Sequence, residues 1–194
     1  MPSLTRADLF SLEHYAEIRA SFREEVMAHK AKRRLALGPN AALYFESLLT
    51  VKYQVQEMLR IERIFERAAI EEELAVYSPL IPDGQNWKAT FMIEFSDPDE
   101  RRMALTRMVG IEDTVWLGVS GHPPVRSIAN EDLPRSTADK TAAVHFLRFE
   151  PDRGTRSALF AGAPLLAGID HPAYPVRISV PEPVRAALLA DLTP

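Results

Sequence analysis

The residues best suited to chemistry are two glutamates in the segment 51–66, VKYQVQEMLRIERIFE, and one histidine further along the chain. Wound as an α-helix at about 100° per residue, this segment places Glu62 inside a broad apolar arc and Glu57 on its flank. An unpartnered buried carboxylate is costly, so Glu62 should meet a basic group, a hydrogen-bond donor or a cation. The same helix has few polar side chains on that arc, so the partner of Glu62 must belong to another segment of the chain.

Two residues that interrupt the apolar run TAAVHFLRFE, His145 and Arg148, are the candidates for that partner. On a strand they point to opposite faces of the sheet, so only one can meet the helix. If it is Arg148, the result is a structural buried ion pair. If it is His145, then Glu57, Glu62 and His145 form a catalytic centre with a general base, or a ligand set for zinc or iron. A third alternative leaves Glu62 unburied at the helix rim.

Four further polar residues are candidates for binding a small ligand beside this centre: Gln54, Glu46, Glu94 and Arg148. Gln54 shares the apolar arc of the helix with Glu62. The residue types do not specify a cofactor, and whether the chain is an enzyme stays open.

Several well-known chemistries are excluded by the sequence. The chain has no cysteine, which excludes thiolate zinc sites, iron-sulfur ligation and a cysteine nucleophile. It also lacks a glycine-rich phosphate loop, a GxSxG elbow and an HExxH motif. The Glu-x-x-His pairs of di-iron bundles are missing, because Arg60 and Phe65 stand three residues after Glu57 and Glu62.

The first half of the chain is predicted to be helical with a hairpin inserted. Ser11 precedes an apolar stripe at spacings of three and four, which predicts a capped helix over about 12–32. The breaker cluster GPN then predicts a short hairpin between RRLAL and AALYFES, before a second long helix over about 48–75.

The segment YSPLIPDGQN, residues 77–86, is the expected internal boundary, because its prolines and Asp-Gly pair end any helix. Beyond it we expect a strand in WKATFMIEF, an Asp97-capped helix, paired strands in TVWLGV and VRSIA, and a central strand in TAAVHFLRFE. A short helix near 153–161, a proline-broken link GAPLLAGIDHPAYP, a strand VRISV and a helix near 183–191 follow.

Together these elements predict an α+β fold in one domain, residues 1–194. Two long N-terminal helices and the inserted hairpin form a helical sub-region, 1–76. They pack on a mostly antiparallel sheet with shorter helices in a second sub-region, 87–194. A content of 46% hydrophobic and 26% charged residues is typical of a globular domain.

The charge pattern argues against nucleic acid as a partner. The net charge is -4, and the cluster Lys30, Lys32, Arg33 and Arg34 stands where a helix should end, so we expect these cations to interact with the helix dipole. No run approaches about 18 apolar residues, so we expect no membrane span and a cytoplasmic protein. Because the long helices are amphipathic, we also expect a homodimer.

Six motifs, in this order, resemble those of a bacterial family of unknown function, DUF3501: FES, TVKYQVQEMLRIERI, YSPLIPDG, ATFMIEF, DKTAAVHFLRF and DHPAYPV. The resemblance implies no established reaction and no catalytic residues. The resemblance also implies neighbouring genes for rubrerythrin-like and iron-sulfur proteins. The resemblance therefore implies an accessory or interaction protein of peroxide or iron-redox metabolism, with such a redox protein as its partner.

Overall fold

A computed structural model describes residues 3–194 of the chain, which fold into helices and two antiparallel sheets. The helices are α1 (Leu12–Ala31), α2 (Leu48–Ile61), α3 (Arg67–Tyr77), α4 (Pro98–Arg107), α5 (Arg153–Phe160) and α6 (Glu182–Ala190). The strands are β1 (Arg34–Ala36), β2 (Ala41–Phe45), β3 (Trp87–Ile93), β4 (Val115–Val119), β5 (Val125–Arg126), β6 (Ile128–Ala129), β7 (Val144–Phe149), β8 (Leu165–His171) and β9 (Tyr174–Ser179). This mixed architecture confirms the predicted α+β class.

The two sheets share one hydrophobic core. The first sheet has the strand order β1-β2-β3-β7-β6 and the second the order β5-β4-β8-β9. Because side chains alternate along a strand, Phe91 of β3 and Leu147 of β7 face inward and join a cluster that includes Leu117 of β4 and Ala167 of β8. The even-numbered residues of β3 and β7 therefore lie on the opposite, outer face of the first sheet.

The two N-terminal helices pack through smaller hydrophobic clusters of their own. Tyr15 and Phe22 of α1 form one cluster with Tyr53 of α2. Val55 of α2 belongs to another, which includes Leu74 of α3. The predicted hairpin, β1 and β2, forms part of the first sheet, because β2 pairs along its length with β3.

The single long helix predicted over about 48–75 is wrong, because α2 ends at Ile61 and α3 begins at Arg67. Arg63 takes a left-handed conformation (φ 55°) and the backbone N–H of Ile64 donates to the carbonyl of Leu59 at 2.9 Å. This is the Schellman arrangement that commonly ends a helix, here with arginine where glycine is usual.

Two predicted segments between 120 and 180 also differ from the structure. The link GAPLLAGIDHPAYP forms the paired strands β8 and the start of β9, not a proline-broken loop. The predicted strand VRSIA is divided at Ser127, since β5 pairs with β4 in one sheet and β6 with β7 in the other. Among residues 3–194, no helix combines the length and the apolar character needed to cross a bilayer.

Candidate functional site

Glu62 does not lie in the interior. It immediately follows the last residue of α2, its side chain is exposed, and Arg63 then turns the chain away. The prediction of a buried Glu62 is wrong because it extended the apolar arc beyond the end of the helix. At the surface the carboxylate is solvated and needs no partner.

Glu57 is the half-buried carboxylate of α2, and it links α2 to α1. Arg19 donates to it from Nε and Nη2, both at 2.8 Å, and the Tyr15 hydroxyl donates at 2.7 Å. The hydrogen bonds from Arg19 and then Tyr15 outweigh the effect of burial and lower the pKa of Glu57 to about 2. Glu57 is therefore an ionised structural link between the two helices.

His145 lies on the inner side of β7, away from both glutamates. Its Nε2 is 2.8 Å from the Thr141 hydroxyl and 3.0 Å from the carbonyl oxygen of Ala142, and its Nδ1 is 3.2 Å from Oδ1 of Asn130. Burial lowers the pKa of His145. The alternative in which Glu57, Glu62 and His145 converge does not hold, since each of the three has different neighbours.

The acid that does meet His145 is Glu112, which sequence analysis missed. Its Oε2 lies 3.8 Å from Nε2 of His145 and accepts a hydrogen bond from Thr141 at 3.0 Å, while Ser136 donates to Oε1. Glu112 belongs to the 3₁₀ turn Ile111–Asp113, which has no periodic pattern that could reveal burial. Its surroundings are a closed hydrogen-bonded network.

Two of the predicted ligand-binding residues, Arg148 and Glu94, already form ion pairs within the chain. Arg148 lies on the outer face of β7 and pairs with Glu131 at 2.7 Å and with Glu150. Glu94 accepts hydrogen bonds from Tyr44 at 2.6 Å and from Arg34 at 3.2 Å.

A large concave site lies on the outer face of the first sheet, and we call it the outer cleft. Its floor includes Tyr44, Thr90 and Phe146, which are cross-strand neighbours on β2, β3 and β7. The walls come from α1, α2 and the segment 77–80. The cleft has a volume of about 850 Å³, and Glu46 and Gln54, two of the predicted ligand-binding residues, both line it.

Glu46 is held firmly in this cleft. The hydroxyl of Thr50 donates to Oε2 at 2.6 Å and that of Thr90 to Oε1 at 2.8 Å. Thr50 is itself fixed at the start of α2, where its hydroxyl accepts from the backbone N–H of Ser47 at 2.8 Å. Within residues 3–194, no basic side chain forms an ion pair with the Glu46 carboxylate.

The cationic side chains of the outer cleft have other partners. Arg33, predicted to interact with a helix dipole, is buried and binds both carboxylate oxygens of Asp191 at 2.7 Å. Arg34 pairs with Glu94, and the Lys30 ammonium lies 5.7 Å from the centre of the Tyr53 ring. The cleft thus combines a largely apolar lining with one fixed carboxylate that has no ion-pair partner among residues 3–194, an arrangement suited to a ligand that donates hydrogen bonds.

The structure does not place a metal ligand set at the predicted centre. In the described part of the chain, residues 3–194, no three histidine or carboxylate side chains come close enough together to hold a metal ion.

Comparisons with known proteins give a family and a structural relative. A family model described as "Protein of unknown function (DUF3501)" matches residues 3–192. A crystal structure of a novel protein of unknown function from Burkholderia pseudomallei is 48% identical, with a TM-score of 0.93, and the alignment covers 99% of this chain and 100% of that one. No curated protein matches the chain.

Proposed function

The chain belongs to the DUF3501 family, and from the geometry of its outer cleft we propose that it binds a small organic ligand, an apolar molecule carrying a cationic amine. The observation that carries the proposal is the Glu46 carboxylate, which is fixed by two hydroxyls and has no ion-pair partner among residues 3–194. Glu46 would accept hydrogen bonds from the ammonium group of the ligand.

The size and lining of the cleft support a ligand of this kind. Ligand sites in proteins typically have volumes of about 300–1,000 Å³, an apolar lining and a few well-placed polar groups. The outer cleft, at about 850 Å³, lies within that range. Met27, Met92 and Phe146 supply apolar surface, and thioether side chains adapt to ligands of irregular shape.

The arrangement of Glu46 also favours a preorganised site. A hydrogen bond to a charged group contributes about 1.5–3 kcal/mol, roughly twice the value for a neutral pair. Because Thr50 and Thr90 already orient the carboxylate, little conformational freedom is lost when the ligand binds.

The test compares matched apolar amines and acids. Isothermal titration with phenethylamine and with phenylpropionic acid should show binding of the amine and not of the acid. Glu46→Gln should weaken amine binding about tenfold or more, since it replaces the anionic acceptor with a neutral amide. Glu131→Gln is the control, because neither Glu131 nor its ion-pair partner Arg148 lines the cleft. Equal binding of the amine to wild type and to a folded Glu46→Gln variant would overturn the proposal.

The role implied by the family resemblance remains a separate prediction. It is an accessory or interaction function in peroxide or iron-redox metabolism, with a rubrerythrin-like or iron-sulfur protein as partner, a cytoplasmic location and a homodimeric state. The accessory function and its partner are supported by the resemblance alone, while the location and the oligomeric state are supported by the hydrophobic pattern of the sequence. Affinity purification of tagged protein from its native host, with light scattering for oligomeric state, tests it. Recovery of no redox protein by a folded monomer would contradict it.

A further inference from the structure

A second cavity beside the first turn of α2 contains a serine and a histidine in direct contact. The Ser47 hydroxyl lies 2.9 Å from Nε2 of His29, which belongs to the last turn of α1. Both residues line a cavity of about 310 Å³, and none of its lining residues lines the outer cleft. This volume is enough for a small molecule, since a water in the liquid occupies about 30 Å³.

The hydrogen-bonding pattern leaves the Ser47 proton available to His29. Ser47 is the N-cap of α2, and its Oγ accepts from the backbone N–H of Thr50 at 3.3 Å. Since an oxygen that accepts this bond still carries its own hydrogen, the hydroxyl can donate to Nε2 of a neutral imidazole. A serine and a base within hydrogen-bonding distance form the minimal unit of an activated nucleophile.

The environment of His29 favours the neutral imidazole. Burial is the largest effect and lowers its pKa from the ordinary 6.5, and Arg33 acts in the same direction. Asp191 and Glu25 oppose this shift, while Lys32 adds to it. Asp191 also lines the cavity, but both of its oxygens are bound by Arg33, so it does not complete a triad with His29.

The first turn of α2 supplies donors for a developing negative charge. The backbone N–H groups of Leu48 and Leu49 stand at the first two helical positions, where no intrahelical acceptor exists. In the described part of the chain neither has another protein acceptor, and both residues line the cavity with Ser47. Backbone donors at such a position stabilise the oxyanion of acyl transfer.

We propose that Ser47 and His29 form a nucleophile–base dyad that accepts an acyl group from a small ester with a short apolar acyl chain. The Ser47 Oγ attacks the carbonyl carbon and its proton passes to Nε2 of His29, giving a tetrahedral oxyanion beside the Leu48 and Leu49 amides. The C–O bond to the leaving alcohol then breaks as His29 returns the proton to it, leaving acyl-Ser47, which water hydrolyses by the reverse sequence. Ile81, Pro82 and Ala190 give the cavity its apolar lining.

The test uses covalent labelling of the full chain. A small alkyl fluorophosphonate should phosphonylate Ser47, identified by mass spectrometry of its peptide, and p-nitrophenyl acetate should acylate the same residue. His29→Gln keeps the N-cap and should slow labelling by about 100-fold, the contribution of a general base. The wild-type rate should rise with pH and level off, with a midpoint below 6.5, while the His29→Gln profile should lack this step.

Ser11→Ala is the control for a general loss of helix stability. Ser11 caps α1 through the backbone N–H of His14 at 3.2 Å, so its removal destabilises a helix without touching the dyad, and labelling of Ser47 should persist. An unlabelled Ser47 in folded wild-type protein, or an unchanged rate in His29→Gln, would overturn the proposal. Either result leaves amine binding at Glu46 unaffected, so the two proposals fail independently.

Discussion

Replacing Glu57 with glutamine should destabilise the protein at neutral pH, and progressively less as the pH falls toward 2. The substitution removes the charge that Arg19 binds at 2.8 Å from two nitrogens. A glutamine oxygen can still accept from the buried Tyr15 hydroxyl, which donates at 2.7 Å in the native structure. The loss of stability therefore measures the contribution of the ion pair, and not the cost of a Tyr15 hydroxyl without an acceptor.

The magnitude follows from the pKa of Glu57. A fall from 4.5 in the unfolded chain to about 2 in the folded protein corresponds to about 3 kcal/mol of stability at pH 7. The Glu57 side chain is 13% exposed but that of Arg19 is 36% exposed, so solvent screens the pair. We therefore expect Glu57→Gln to lower the free energy of unfolding by about 1–2 kcal/mol.

The pH dependence has a defined sign. Because folding lowers the pKa of Glu57, its stabilisation is present above about pH 4.5 and is lost as the pH falls toward 2. Urea unfolding of wild type and Glu57→Gln at pH 7, 5 and 3 should show a difference that shrinks at pH 3.

Glu94→Gln provides the matched control for this measurement. Glu94 also binds a tyrosine and an arginine, but its side chain is 40% exposed and that of Arg34 is 46% exposed. Its replacement should cost less than about 0.5 kcal/mol. The reasoning fails if Glu57→Gln has the same deficit at pH 3 and pH 7, or if Glu94→Gln costs as much.

Two backbone positions give further predictions, which thermal and urea unfolding can check. Gly168→Ala should destabilise by about 1–3 kcal/mol, because its Cβ would lie 2.5 Å from the Trp116 ring and 2.6 Å from the carbonyl oxygen of Val176; an unchanged midpoint would contradict this. Arg63→Gly should stabilise by up to about 1 kcal/mol, because glycine adopts the left-handed conformation without the cost that arginine bears. A lowered midpoint would show that the Arg63 side chain contributes contacts worth more than this.

Elements with strong local signals were predictable from the sequence. Asp97 caps α4 by accepting from the backbone N–H groups of Asp99 and Glu100 at 2.8 Å, as its position before Pro98 predicts. The alternation of WKATFMIEF likewise identified β3. These signals depend on neighbours within a few residues, which the sequence displays directly.

The site was only partly predictable, because it depends on contacts between distant elements. Glu46 and Gln54 are candidate ligand residues from the sequence, and both line the outer cleft. Glu62 is not buried as predicted, because α2 ends at Ile61 and the predicted helix continues beyond it. Arginine in the left-handed position carries no sequence signal comparable to glycine. The partner of His145 could not be identified either, because Glu112 lies 3.8 Å from it only through the packing of the turn Ile111–Asp113 beside β6 and β8.

The division of the chain at Ser127 has a consequence for self-association. Sheet edges with unpaired backbone groups invite other chains to add strands, and short edge strands limit this hazard. Sharing residues 125–129 between the sheets leaves β5 and β6 with two residues each, and β1 at the remaining edge of the first sheet has three. Within residues 3–194, only β9 forms a longer edge strand, where Pro175 lacks a backbone donor and Arg177 adds charge. We therefore expect the fold to resist polymerisation through its sheet edges.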